Sequence, residues 1–415
     1  MRAADDMQSH TAALFKSERG KLTAVLLRRM GMQHLELVED AVQDAFAAAL
    51  THWPQTGVPA NAAAWLMRVA ANNALNALKR HARQTRLEEQ QLAALLHHSD
   101  DNAATLPRQL ADSELRLLFA CVQLDFPLRN RIMLTLHLMC GMHTHELAAA
   151  LLMQPEAVKK ALQRMKTELR SRPGMLETGW PLLSATSTAD VQLVLYLMFN
   201  EGCKTTRSNI LINHDLCFGA MRLTQLLCRH IQTLRSESYG LLALMFFALA
   251  RFEARVDAAG DIVPLALQNR SLWNTQYMAE GFACLHNARQ GRRFYLEALI
   301  ASVHSTATEF ARTNWTQLVF LYRQLLEVNP SPVVKLNWLL ARSYAETPAA
   351  VLDELRALGK EAALQNTSLL LASEADVLER AGRKAEARKA FEAAATATES
   401  VPERRLYLKR AVQCA

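Results

Sequence analysis

Four residues with metal-binding or acid–base side chains crowd into positions 137–145: His137, Cys140, His143 and His145. Imidazole and thiolate are the usual donors to zinc, but a structural zinc site needs four of them converging on one point. Helical geometry would scatter these four around the axis, and no second Cys/His pair sits at ligand spacing. They read as packing and surface residues, so no metal and no cofactor is expected. His214-Asp215 is an acid–base dipeptide with no third partner in sight. A nucleotide-binding glycine loop, Gly-x-Ser-x-Gly and His-Glu-x-x-His are all missing from the sequence. An enzyme is not expected.

The remaining chemistry is charge recognition. Between Glu36 and Asp44 lie four acids (Glu36, Glu39, Asp40, Asp44) and no base. From Trp65 to Arg86 there are five bases (Arg68, Lys79, Arg80, Arg83, Arg86) and no Asp or Glu. From Ala157 to Arg172 six bases face one acid, Glu168. A formal net charge of +7 permits a nucleic-acid partner, and its concentration in two segments is the stronger sign. The pattern implies two DNA-facing surfaces and one protein-facing surface.

Helices must carry these charges. Gly (14) and Pro (12) are scarce among 415 residues, and helix-favouring residues dominate, so an all-α fold of several domains is expected. The first helix is placed over 10–30, with Leu14, Leu22, Val25 and Leu26 at helical spacing. The second runs from about Leu35 to His52, with Val38, Val42, Ala45, Phe46 and Ala49 on one stripe and Asp40 and Asp44 beside it. Trp53-Pro54 and Gly57-Val58-Pro59 are read as its break, and a third helix follows from about Ala62 to Gln84. A polar stretch from His97 to Arg108 reads as a flexible linker.

Further on, Thr144 is the expected cap of a helix over His145 to Leu151, and Pro155 suits the first position of the next. That second helix keeps Val158, Ala161, Leu162 and Met165 inside and turns Lys159, Lys160, Gln163, Arg164 and Lys166 outward, a helix-turn-helix pattern. Breaks are expected at Asn200-Glu201-Gly202 and from Asp257 to Pro264. Ala341-x-x-Tyr344 and Ala375-x-x-Leu378 recur at about the 34-residue period of tetratricopeptide helix pairs, with a plain helical bundle as the other reading. Seven cysteines without a repeated spacing read as free thiols of a reducing cytoplasm. No secretory signal is visible, and the longest apolar run, Tyr239 to Ala250, is too short to span a bilayer, so no membrane partner is expected.

The run Leu37-Val-Glu-Asp-Ala-Val-Gln-Asp-Ala-Phe-Ala-Ala-Ala-Leu50, followed by Trp53-Pro54, Ala64-Trp-Leu66 and Ala71-Asn-Asn-Ala-Leu-Asn-Ala-Leu-Lys-Arg80, resembles region 2 of extracytoplasmic-function sigma factors, members of the sigma-70 family. Residues 112–172 resemble sigma region 4. Residues 182–415, with Leu195-Tyr-Leu-Met-Phe-Asn-Glu-Gly202, Asp215-Leu-Cys217, Ala220-Met-Arg-Leu223, Pro330-Ser-Pro-Val-Val334 and Leu336-Asn337, resemble the extension of the subgroup that ends in tetratricopeptide-like repeats. The resemblance implies region 2 at 10–86, a linker at 87–111, region 4 at 112–172 and a regulatory extension at 182–415.

It also implies partners and roles. Asp40, Gln43, Asp44 and Phe46 would grip core RNA polymerase. Asn72, Asn73, Lys79, Arg80 and Arg83 would contact the −10 promoter element. Lys159, Lys160, Gln163 and Arg164 would read the −35 element, with Lys166 and Arg170 on phosphates. A protein or small-molecule regulator of the extension is a further candidate partner. Trp53 and Trp65 are expected as core anchors rather than stacking platforms, which leaves few aromatics for unstacked bases and implies a narrow promoter range. Asn76 stands where the family usually has Asp, and Cys140 and Met142-His143 replace small or aliphatic residues. The competing readings are a helix-turn-helix regulator with a helical-repeat sensor that never joins polymerase, and a helical-repeat scaffold that has lost DNA binding.

Overall fold

A computed structural model describes residues 18–85, 106–151, 153–171, 184–203, 212–361 and 364–414. The side chains of 81–85, 106–112, 149 and 150 lie outside that description, as do Leu14 and most of the expected linker. The described chain is all-α; its extended pairing is an isolated bridge between Val256 and Ile262. It forms two compact units, one of residues 1–200 with 214–233 and one of 201–213 with 234–415.

In the first unit, α1 (18–30) buries Leu22, Val25, Leu26 and Leu27. A 3-10 turn, Met32–His34, leads into α2 (Leu35–Thr56). Instead of breaking at Trp53-Pro54, α2 carries Pro54 in its last turn and stops at Gly57, whose φ is 79°. A proline so near the end removes one backbone donor where few intrahelical bonds remain to lose. Gly57 then supplies the positive φ and donates its N–H to Trp53 O at 2.9 Å. The third helix, α3 (Ala62–Thr85), starts where the Asn61 side chain accepts from Ala64 N–H at 3.0 Å.

Next come α4 (Leu106–Val122), α5 (Leu128–Cys140), α6 (Thr144–Ala150) and α7 (Pro155–Arg170). Helix α4 begins at Leu106, inside the stretch expected as linker. Before α6 the cap differs from expectation: Glu146 accepts the His143 backbone N–H at 2.6 Å, and Thr144 is already helical. Pro155 does open α7. Helices α8 (Ala185–Cys203) and α9 (His214–His230) close the unit. Helix α8 ends at Cys203, directly after the break expected at Asn200-Glu201-Gly202. Both helices lie in the stretch assigned to the extension, yet they pack here: Arg131 of α5 pairs with Asp190 of α8 at 3.1 Å, and Arg222 of α9 pairs with the buried Glu114 of α4.

The second unit is built on α10 (Arg235–Leu249), apolar on nearly all sides, with α11 (Phe252–Arg255), α12 (Thr275–Asn287) and α13 (Arg293–Thr306). Helices α12 and α13 pack on α10. Close approach requires glycine there: a Cβ on Gly240 would meet Tyr295 N at 2.6 Å. Then follow α14 (Trp315–Val328), α15 (Pro332–Ala345), α16 (Leu352–Leu358), α17 (Ser368–Arg380), α18 (Lys384–Ala397) and α19 (Val401–Gln413). Successive helices pack as α14 on α15, α17 on α18 and α18 on α19. Side-chain caps start several of them: Asn274 accepts from Tyr277 N–H at 2.9 Å and Asn314 from Gln317 N–H at 3.0 Å. Each cap stabilises its helix by about 1 kcal/mol. Ala375, Leu378, Ala387 and Phe391 meet in one apolar cluster with Leu336 and Leu339.

Candidate polymerase and promoter interface

Helix α2 is divided lengthwise. Leu35, Val38, Val42, Ala45, Ala49 and Trp53 are buried, which leaves Glu36, Asp40, Gln43 and Asp44 exposed on the other side. Phe46 departs from expectation. At 4% exposure it belongs to the core, not to a docking face. The reason is its position: residues 42, 46, 49 and 53 continue the apolar stripe at helical spacing.

Helix α3 packs on α2, and Trp53 meets Trp65 with ring centroids 5.4 Å apart. Trp53 is fully buried and Trp65 half-buried, as expected of anchors. The outer stripe of α3 carries Arg68, Asn72, Asn76 and Arg80, all exposed and each four residues from the next. Asn73 and Lys79 flank it and are half-buried; the side chain of Arg83 is outside the described part. Arg68 and Asn76 thus share the face expected to meet DNA, a placement that i, i+4 spacing alone could have revealed.

Glu39 is the electrostatic centre of the unit. Its carboxylate, 11% exposed, lies 2.6 Å from Lys166 Nζ of α7, 2.9 Å from His137 Nε2 of α5 and 3.5 Å from an Arg19 guanidinium nitrogen of α1. Burial pushes this carboxyl up, but the hydrogen bonds and charges of His137 and then Lys166 outweigh it and hold the group at about 2. The other ring nitrogen of His137 faces Met142 O at 2.9 Å. One turn earlier, Glu36 pairs with Arg170 of α7 on the open surface. The backbones also touch: Gly20 of α1 leaves no room for a side chain, because a Cβ there would stand 2.3 Å from Met139 O of α5. The acidic helix and the second basic helix are therefore joined.

That union splits the expected DNA contacts of α7. Lys166 and Arg170 are engaged with α2. Lys159, Lys160, Gln163 and Arg164 remain exposed, and Lys160, Gln163 and Arg164 line a shallow groove of about 470 Å³ with Thr167, Glu168 and Ser171. Glu36 and Glu39, half of the acidic stripe, are covered by α7 or tied to it, while Asp40, Gln43 and Asp44 stay open. Among the described residues no group of three or more His, Cys, Asp or Glu has the geometry to hold a metal ion.

Residues 14–84, which comprise α2, nearly all of α3 and most of the first expected helix, match the family Sigma-70 region 2. This segment of the chain is similar to sigma-70 region 2. All the residues expected at the polymerase and −10 interfaces fall inside the matched segment; those of α7 fall outside it. Residues 187–289 match a second family, described as a family of unknown function, DUF6596. The protein is also 33% identical over 386 residues to "Uncharacterized protein R00370" of Rhizobium meliloti (strain 1021), across 91% of this chain and 89% of that one, and shares its family. No solved structure matches significantly. No helix among the described residues is long and apolar enough to cross a membrane.

Proposed function

We propose that the protein is a cytoplasmic RNA polymerase sigma factor of the extracytoplasmic-function type, which directs core polymerase to a small set of promoters. The observation that carries this reading is the pairing, within the Sigma-70 region 2 match, of an exposed acidic stripe on α2 with an exposed Arg/Asn stripe on α3. Asp40, Gln43 and Asp44 would hold the polymerase. Asn72, Asn73, Lys79, Arg80 and Arg83 would contact the −10 element, joined by Arg68. Phosphate contacts position such a helix, and contacts to base edges or flipped bases give it sequence preference.

Helices α6 and α7 would act as the region 4 reader, with Lys159, Lys160, Gln163 and Arg164 in the major groove at −35. Lys166 and Arg170 can reach phosphates only after leaving Glu39 and Glu36. The joined arrangement is then a resting form, and binding to polymerase or DNA must outweigh the ion pairs that hold it. The extension modulates this equilibrium as a restraint or as a support. Its stacked α17–α18 hairpin, with Ala375, Leu378, Ala387 and Phe391 inside, supports a tetratricopeptide-like reading.

The test is a binding titration of the full chain against purified core polymerase, followed by in vitro transcription from genomic fragments. Saturable association and a defined transcript are expected. DNA binding without association with core polymerase would instead identify a regulator that never enters the enzyme.

A further inference from the structure

Most arginines of the second unit meet carboxylates. Arg293 pairs with Glu297 at 2.9 Å, Arg342 with Glu346 and Glu354 at 3.0 and 2.7 Å, and Arg380 with Asp376 at 3.1 Å. Three arginines at the junction of α10, α11 and the following loop do not. Arg251 Nε donates to Gln268 Oε1 at 3.3 Å. Arg270 donates to the backbone oxygens of His304 and Ala307 at 2.6 and 2.8 Å. Arg255 lies over the Phe252 ring at 5.8 Å. Every acceptor in this set is neutral. The acids nearest in sequence are used elsewhere or face solvent: Asp257 caps the N–H groups of Ala259 and Asp261, Asp261 pairs with Arg405 at 3.1 Å, and Glu253 is exposed.

Arg251 and Arg270 both stack on the Trp273 indole, at 5.5 and 4.4 Å from its centroid. Stacking satisfies the face of a guanidinium but not the donors in its plane. Arg270 keeps a buried Nη2 without an acceptor, and the neighbouring His304 Nδ1 and Trp273 Nε1 are likewise buried without partners. The like charges are felt. Burial, then Arg255 and Arg270, push Arg251 down to about 10, and burial, then Arg251 and Arg270, push His304 down to about 4. His304 is therefore neutral near pH 7 and adds no charge of its own.

We propose that Arg251, Arg255 and Arg270, with Trp273 and His304, form a binding site for a phosphate-bearing anion. Three guanidinium forks supply the planar donors that a phosphate group accepts best, and a dianion offsets the mutual repulsion that a single carboxylate would leave largely in place. Arg251, Arg255 and Arg270 are each half-buried, and an anion among them would tie α10 and α11 to the loop around Trp273 and to the end of α13. The site stands whether or not the chain joins polymerase.

Calorimetric titration of the full chain with inorganic phosphate, and separately with acetate at matched ionic strength, tests this. Saturable one-to-one phosphate binding is expected with a Kd on the order of 1 mM or tighter, accompanied by a raised melting midpoint. Acetate should bind at least about tenfold more weakly. R251Q and R270Q should lose the phosphate response, and R255Q, at a residue whose guanidinium rests on the Phe252 ring, should weaken it while leaving the fold intact. R312Q, at an exposed arginine paired with Glu309, should keep it in full. R251Q should also melt no lower than the parent in phosphate-free buffer, since it removes repulsion. No saturable heat up to roughly 20 mM phosphate, or equal responses in all variants, overturns the site. Equal acetate binding overturns its assignment to phosphate.

Discussion

Lys166 of α7 and Glu39 of α2 are 127 residues apart in the chain and 2.6 Å apart in the fold. This ion pair joins the helix expected to read −35 to the helix expected to hold polymerase. Its strength follows from its surroundings: Glu39 is 11% exposed, whereas the neighbouring Arg170–Glu36 pair is open on both sides, at 61% and 47%.

Glu39→Gln should therefore cost the first unit about 3 kcal/mol, because it removes the buried charge that Lys166, Arg19 and His137 share. Glu36→Gln should cost less than about 1 kcal/mol, as exposed pairs do. Urea unfolding of the two variants checks the ranking. Equal small losses would show that the buried carboxylate is not the centre of the assembly.

The same carboxylate sets an acid limit. Its folded value of about 2 lies below the ordinary 4.5, so its stabilising contribution is complete above pH 4.5 and is lost as the pH falls toward 2. The amount is on the order of 3 kcal/mol. The stability difference between parent and Glu39→Gln should shrink steadily from pH 5 to pH 3 in urea titrations. A constant difference across that range would falsify the assignment.

On α7, Lys160→Ala with Arg164→Ala should weaken binding to a −35 fragment and lower the slope of log K against log salt by about 1 for each phosphate no longer neutralised. Stability should change by less than about 0.5 kcal/mol, since both side chains are exposed. Glu36→Gln, by releasing Arg170, should instead raise the affinity for the same fragment. Fluorescence anisotropy at several salt concentrations separates these effects.

Phe46 and Asp44 lie two residues apart on α2 and should behave oppositely. Phe46→Ala should cost about 3–5 kcal/mol of stability by emptying part of the core. Asp40→Ala with Asp44→Ala should leave stability nearly unchanged and weaken core polymerase binding by about tenfold or more. Thermal melts and binding titrations on both proteins decide between packing and docking roles.

Much of the fold is legible in the sequence because its signals are local. The apolar stripe of α2, Pro155 at the start of α7 and the two tryptophans as anchors follow from spacing and side-chain chemistry. One boundary misleads for the same local reason: Trp53-Pro54 looks like a break, yet α2 runs on to Thr56. Phe46 misleads because family resemblance gives it a docking role while its place on the apolar stripe turns it inward. The pairing of Glu39 with Lys166, His137 and Arg19 cannot be read at all. Nothing in a sequence says which of many surface charges will meet across 127 residues, and the tight approach at Gly20 that brings α1 onto α5 shows only once both helices are placed.

One carboxylate serving partners from three helices has a consequence for how the unit lets go. Withdrawing Lys166 leaves His137 and Arg19 still holding Glu39, so the carboxylate is not stranded when α7 moves. Only when α1 and α5 also depart does the acid lose its last partner. Detachment should thus proceed in stages, with α7 loosening long before the rest of its module comes away, and a promoter could capture that loosened helix while the remainder stays docked.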